Sequence, residues 1–137
     1  MIRRGEARTA SSYNNIPLDR VHFLDLPFYE TGKIQKNPIS EADVEIVRNL
    51  LREVKPHQIF VAGDLADPHG THRVCTDAVF AAVDLEKEEG AKWLKDCRIW
   101  MYRGAWAEWE IENIEMAVPI SPEELRAKRN SILKHQS

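Results

Sequence analysis

Within nine residues the sequence sets two carboxylates and two imidazoles, Asp64, Asp67, His69 and His72. These are the side chains of general acid–base catalysis and of zinc ligation. The spacing His-x-x-His at the entrance of a predicted helix lets both rings face one crevice. A helix N-terminus carries partial positive charge, which disfavours imidazolium and so favours the neutral ring a metal requires at His72. Gly63 and Gly70 flank the group and permit tight backbone turns around it. The same residues also admit a structural arrangement, in which the aspartates cap the helix and the histidines bond loop carbonyls. The other histidines offer less: His22 and His57 read as ordinary structural residues, and His135 lies near the chain end. A second cluster, Trp100, Tyr102, Trp106 and Trp109 around Arg103, is either a sugar-stacking, cation–π platform or core packing with a covered loop. The sequence has no phosphate loop, dinucleotide fingerprint, serine elbow or Cys-x-x-Cys.

The elements that must hold these residues follow from periodicity. Residues 1–15 read as a short polar helix stopped by Asn14-Asn15, with almost no apolar face to bury. Val21 to Leu26 predict a strand. Ser40 opens a helix with a capping box to Asp43; Val44, Val47, Leu51 and Val54 recur at helical spacing until Pro56. Gln58 to Ala62 is a short continuous apolar run, the pattern of a strand covered on both faces of a parallel sheet. A long helix follows from Thr71 to Glu89, with Val74, Ala78, Ala82 and Leu85, joined by Cys75, Val79 and Val83, as its buried stripe. Cys97 to Tyr102 predicts another strand, and Ile114, Met116, Val118 and Ile120 alternate as a one-sided strand would. Ser121-Pro122-Glu123-Glu124 opens a last helix, predicted to run to the end.

Strands alternating with helices over short connections predict the α/β class: a Rossmann-like three-layer α/β/α arrangement with a mainly parallel sheet, in one domain over residues 1–137. In open sheets of this class ligands bind at the carboxyl ends of the strands, which puts the Asp64–His72 loop where chemistry is expected. The 137 residues suffice for a real core without disulfide or metal staples. Cys75 and Cys97 sit in apolar stretches and read as buried thiols of a reducing compartment. With 19 basic and 22 acidic residues interspersed, there is no footprint for a nucleic-acid backbone. No apolar run approaches the roughly 20 residues that span a bilayer. Together these point to a cytoplasmic protein with neither nucleic acid nor membrane as partner.

The segment Asp67-Pro68-His69-Gly70-Thr71-His72-Arg73, after a strand and before a long helix, resembles the second motif of the PIG-L/LmbE-like zinc deacetylases, commonly His-Pro-Asp-His-Arg. More specifically, 62–73 and 100–109 are similar to the LmbE-like C-terminal extension found in some bacterial glucosamine-6-phosphate deaminases. The resemblance implies a hydrolase of amino-sugar and carbohydrate metabolism that removes N-acetyl groups with zinc. Carried over by position, His72 matches the zinc ligand and His69 the catalytic, oxyanion-stabilising histidine. Gly70 and Thr71 replace the usual Pro and Asp between the histidines. The family's first motif, His-Pro-Asp-Asp, supplies the other two ligands and the base, and it does not occur here. One imidazole cannot hold catalytic zinc, which takes three protein ligands. The resemblance therefore implies a domain truncated at both ends, with zinc in the complete domain, none bound by this chain, and no activity in isolation. A non-catalytic sugar-binding or interaction module is the alternative. Open sheet edges left by truncation would allow a homodimer.

Overall fold

The computed structural model describes residues 2–29, 37–63, 70–104 and 108–137. Six main elements run in the order α1 (Ile2–Tyr13), α2 (Glu41–Val54), β1 (Gln58–Ala62), α3 (Thr71–Glu88), β2 (Arg98–Tyr102) and α4 (Pro122–Ile132). β1 and β2 are parallel neighbours, in register from Gln58 opposite Arg98 to Ala62 opposite Tyr102, with α3 as the connection between them. The protein is thus of the α/β class with a parallel sheet, as the alternation of elements predicts. The chain divides into two compact units, Leu24–Asn113 and the pair of segments Met1–Phe23 and Ile114–Ser137.

The larger unit holds the core. Val44, Val47 and Leu51 of α2 close on Ala78 and Ala82 of α3, with Ile59, Val79, Val83 and Trp93 packed around them. Two alanines with no exposed surface let the helices approach closely. α2 begins with the predicted capping box: the Ser40 hydroxyl accepts from the Asp43 N–H, and Asp43 accepts from the Ser40 N–H at 2.8 Å. Asp43 also accepts from the N–H of Phe28 at 2.8 Å, so one fully buried carboxylate ties the incoming loop to the helix. The helix ends where Lys55 turns left-handed (φ 47°), since α geometry is disfavoured immediately before Pro56.

Burial pushes the Asp43 carboxyl up, but the hydrogen bonds from the Ser40 hydroxyl and from the N–H groups of Phe28 and Ser40 outweigh it and hold the group below the usual aspartate range. A carboxyl depressed in the folded state contributes stability that is present above its unfolded value, about 3.9, and lost as pH falls through the folded one. Asp43→Asn is expected to cost about 1–2 kcal/mol at pH 7 and less at pH 3, measured by urea unfolding at both. An equal cost at the two pH values would contradict this assignment.

In the smaller unit α1 buries only Ala10 among the described residues, in keeping with its polar sequence. α1 and the residue after it meet α4 and the chain end through hydrogen bonds instead: Asn14 Nδ2 donates to Ser131 Oγ (2.8 Å), Asn130 Nδ2 to Tyr13 Oη (3.1 Å), and the Gln136 N–H to Glu6 Oε1 (3.0 Å). α4 opens with the predicted Ser121–Glu124 capping box.

Several expectations are corrected. Residues 21–26 form no strand: Asp25 adopts φ 51°, which breaks the extended run, while Leu24 and Leu26 pack singly onto the core. Residues 114–120 are irregular too, and Val118 is 70% exposed. Their alternation finds no partner strand among the described residues, and a strand without a ladder is not held by pattern alone. α4 stops at Ile132 rather than at the chain end. Val54 of α2 and Leu85 of α3 lie exposed, and the buried face of α3 includes Thr76 and Glu86. Cys75 is exposed and Cys97 half-buried, so neither is the deeply buried thiol expected.

Candidate functional site

The carboxyl ends of β1 and β2 and the first turns of α3 form the frame to which the sequence assigned chemistry. Gly63 follows β1 and continues the pairing, its N–H donating to the Tyr102 carbonyl at 2.7 Å. A Cβ at this position would lie 3.0 Å from both Met101 Cβ and Trp109 Cζ2, so only glycine fits without displacing a neighbour. Trp109 is drawn over the strand end by its indole N–H, which donates to the Met101 carbonyl at 3.1 Å. The Arg103 guanidinium then stacks 4.0 Å from the Trp109 ring centroid. Of the arrangements the aromatic cluster admits, a cation–π contact is present between Arg103 and Trp109. Trp106 lies outside the described residues.

α3 starts at Gly70, which is left-handed (φ 67°) and serves as N-cap with no side chain to contribute. Five residues into the helix Thr76, 3% exposed, donates its hydroxyl to the Ala62 carbonyl at 2.7 Å. That bond pins the start of α3 to the last residue of β1 and fixes the direction in which the first turn points. His72 sits on this turn and is exposed. Asp64, Asp67 and His69 lie outside the described residues. Among the described residues no group of three or more histidine, cysteine, aspartate or glutamate side chains is placed to hold a metal ion. A catalytic zinc takes three protein ligands; His72 is a candidate for one of them, and the described residues do not bring a full set together.

Sequence reasoning missed Thr76 and Trp109 as the residues that position this frame. A hydroxyl inside an otherwise apolar stripe, one turn beyond a strand–loop–helix junction, was the available signal for the first. For the second it was the glycine directly after β1, which demands a close neighbour. His22 and His57 are exposed, and His57 uses its backbone carbonyl to accept the N–H of Arg98 at 2.9 Å. Among the described residues no helix is long and apolar enough to cross a membrane.

Comparison with known proteins gives one strong similarity. All 137 residues align at 98% identity with a protein of Bacteroides thetaiotaomicron named "Putative glucosamine-6-phosphate deaminase-like protein". The chain spans only 21% of that relative's length. No family model matches the chain, and no solved structure matches it.

Proposed function

We propose that this chain is a deacetylase-like α/β segment of a longer protein of amino-sugar metabolism. The observation that carries the coarser part, a longer protein of amino-sugar metabolism, is the 98% identity over all 137 residues with a segment of a protein named deaminase-like. The β1–loop–α3 frame supports the finer part. It ends a parallel strand, extends the pairing through Gly63, and begins α3 after the left-handed Gly70 with His72 on an exposed first helical turn. The reaction proposed is hydrolysis of an N-acetyl group: water adds to the amide carbonyl, the C–N bond breaks, and acetate and the free amino sugar leave. His72 would be one zinc ligand and His69 would stand by the developing oxyanion. The remaining ligands must come from outside the described residues. Deamination is assigned to no residue of this chain.

Zinc titration by calorimetry tests the ligand assignment. The longer relative, carrying this sequence in its matching segment, is expected to bind one zinc, and His72→Ala is expected to weaken that binding at least about 100-fold. The 137-residue chain is expected to bind zinc no better than its His69→Ala, His72→Ala double variant. Tight one-to-one binding by the 137 residues would mean that they already hold a complete site. The Arg103–Trp109 pair favours a second reading, a non-catalytic sugar-binding module, which instead expects amino-sugar binding with no zinc requirement.

A further inference from the structure

Registered partners in a parallel ladder share a face, so Phe60, Ala62, Trp100 and Tyr102 lie on one side of the sheet and Ile59 and Val61 on the other. Val61 is buried and Ile59 packs on the α2–α3 core. The opposite side is only partly covered: Ala62 and Trp100 are half-buried, but Phe60 is 57% and Tyr102 53% exposed. Parallel sheets are found with both faces covered, and a two-stranded sheet is marginal by itself. Among the described residues β1 pairs with β2 alone, which leaves one edge of each strand without a ladder.

We infer that the Phe60–Tyr102 face and the outer edge of β1 are the docking surface for a segment of the polypeptide that makes up the other four-fifths of the longer relative. The inference rests on the proposed place of this chain within such a protein, and not on zinc or deacetylation. Area decides between that occupant and a second copy. A buried aromatic side chain covers about 150–250 Å². With just over half of each ring exposed, the two offer about 200 Å², against about 800 Å² per partner in a stable two-chain interface. A second copy gains too little from so small a patch. A tethered segment does not need that area, because its effective concentration is of millimolar order and its strand can add ladder hydrogen bonds along β1.

Cysteine labelling tests this directly. Phe60→Cys is placed in a Cys75→Ser, Cys97→Ser background, both in the 137-residue chain and in the longer protein, and its reaction with a maleimide-polyethylene glycol is timed. Labelling is expected to be at least tenfold slower in the longer protein, while Glu123→Cys on exposed α4 reacts alike in both. Hydrogen exchange of the unsubstituted chains gives the same readout without a variant, with amides 58–62 expected at least tenfold more protected in the longer protein. Equal rates in both proteins would overturn the inference. So would labelling of the 137-residue chain that slows with its concentration as its mass doubles, since a second copy would then be the occupant. Neither readout involves zinc or catalysis, so failure here is separable from failure of the functional reading.

Discussion

Replacing Glu86 by alanine is expected to destabilise the larger unit by about 3 kcal/mol. Glu86 is 3% exposed on the buried face of α3. Its Oε1 accepts from Arg48 Nε at 2.5 Å and from Arg52 Nε at 2.7 Å, so one carboxylate oxygen holds both arginines of α2. Arg48 is itself buried and is completed by an ion pair to Glu89, whose second oxygen takes Arg52 Nη2 at 2.8 Å. The hydrogen bond from Arg48 is the first reason the Glu89 carboxyl is held below the usual glutamate range, and the Arg48 guanidinium is in turn held more firmly charged. Removing Glu86 leaves Arg48 charged, buried and short of an acceptor, which is the costly way to break such a pair. The figure stays at the lower end for buried pairs because Arg52 is partly solvated and can turn to water. Urea unfolding followed by circular dichroism measures it. The double variant Glu86→Leu, Arg48→Met is expected to recover most of the loss, since apolar side chains of similar volume remove both charges together. A Glu86→Ala cost under about 1 kcal/mol would show that the network is solvated and holds nothing.

The network also shows what the sequence could and could not reveal. Helices were legible wherever their ends carry side-chain signals: Ser40 with Asp43 and Ser121 with Glu124 form the boxes read from spacing, and Pro56 stops α2 as its ring demands. β1, β2 and their parallel pairing followed from two apolar runs separated by a helix. The failures share a cause. The runs at 21–26 and 114–120 have strand-like composition, but a strand exists only if a neighbour supplies its ladder, and spacing within a run says nothing of neighbours. The Glu86–Arg48 contact joins residues 38 apart, and Asp43 reaches Phe28 across 15, so both were invisible to local periodicity. Of the candidate site, the position was legible and the support was not. The exposed His72 stands at the start of α3, after β1, where an α/β sheet presents ligands, whereas the bonds from Thr76 to the Ala62 carbonyl and from Trp109 to the Met101 carbonyl appear only in three dimensions.

The second large effect is catalytic and concerns His72. If the β1–loop–α3 frame belongs to a deacetylase, loss of this imidazole removes a metal ligand while leaving Thr76, Gly63 and the α2–α3 core untouched. The effect is expected on turnover, with little change in stability, because His72 is exposed. Loss of even an outer-sphere partner of a metal site costs 10–100-fold, so a ligand is expected to cost more than about 100-fold. The proposed deamination lies elsewhere in the longer protein and should not respond. The decisive measurement follows acetate released from N-acetylated amino sugars and ammonia released from glucosamine 6-phosphate by the longer protein carrying this sequence, with and without His72→Ala. Acetate release falling more than about 100-fold, with ammonia release unchanged, is the predicted result. Acetate release that is equal in the two proteins, or undetectable in both while ammonia is formed, would contradict the account and leave the segment as a binding module.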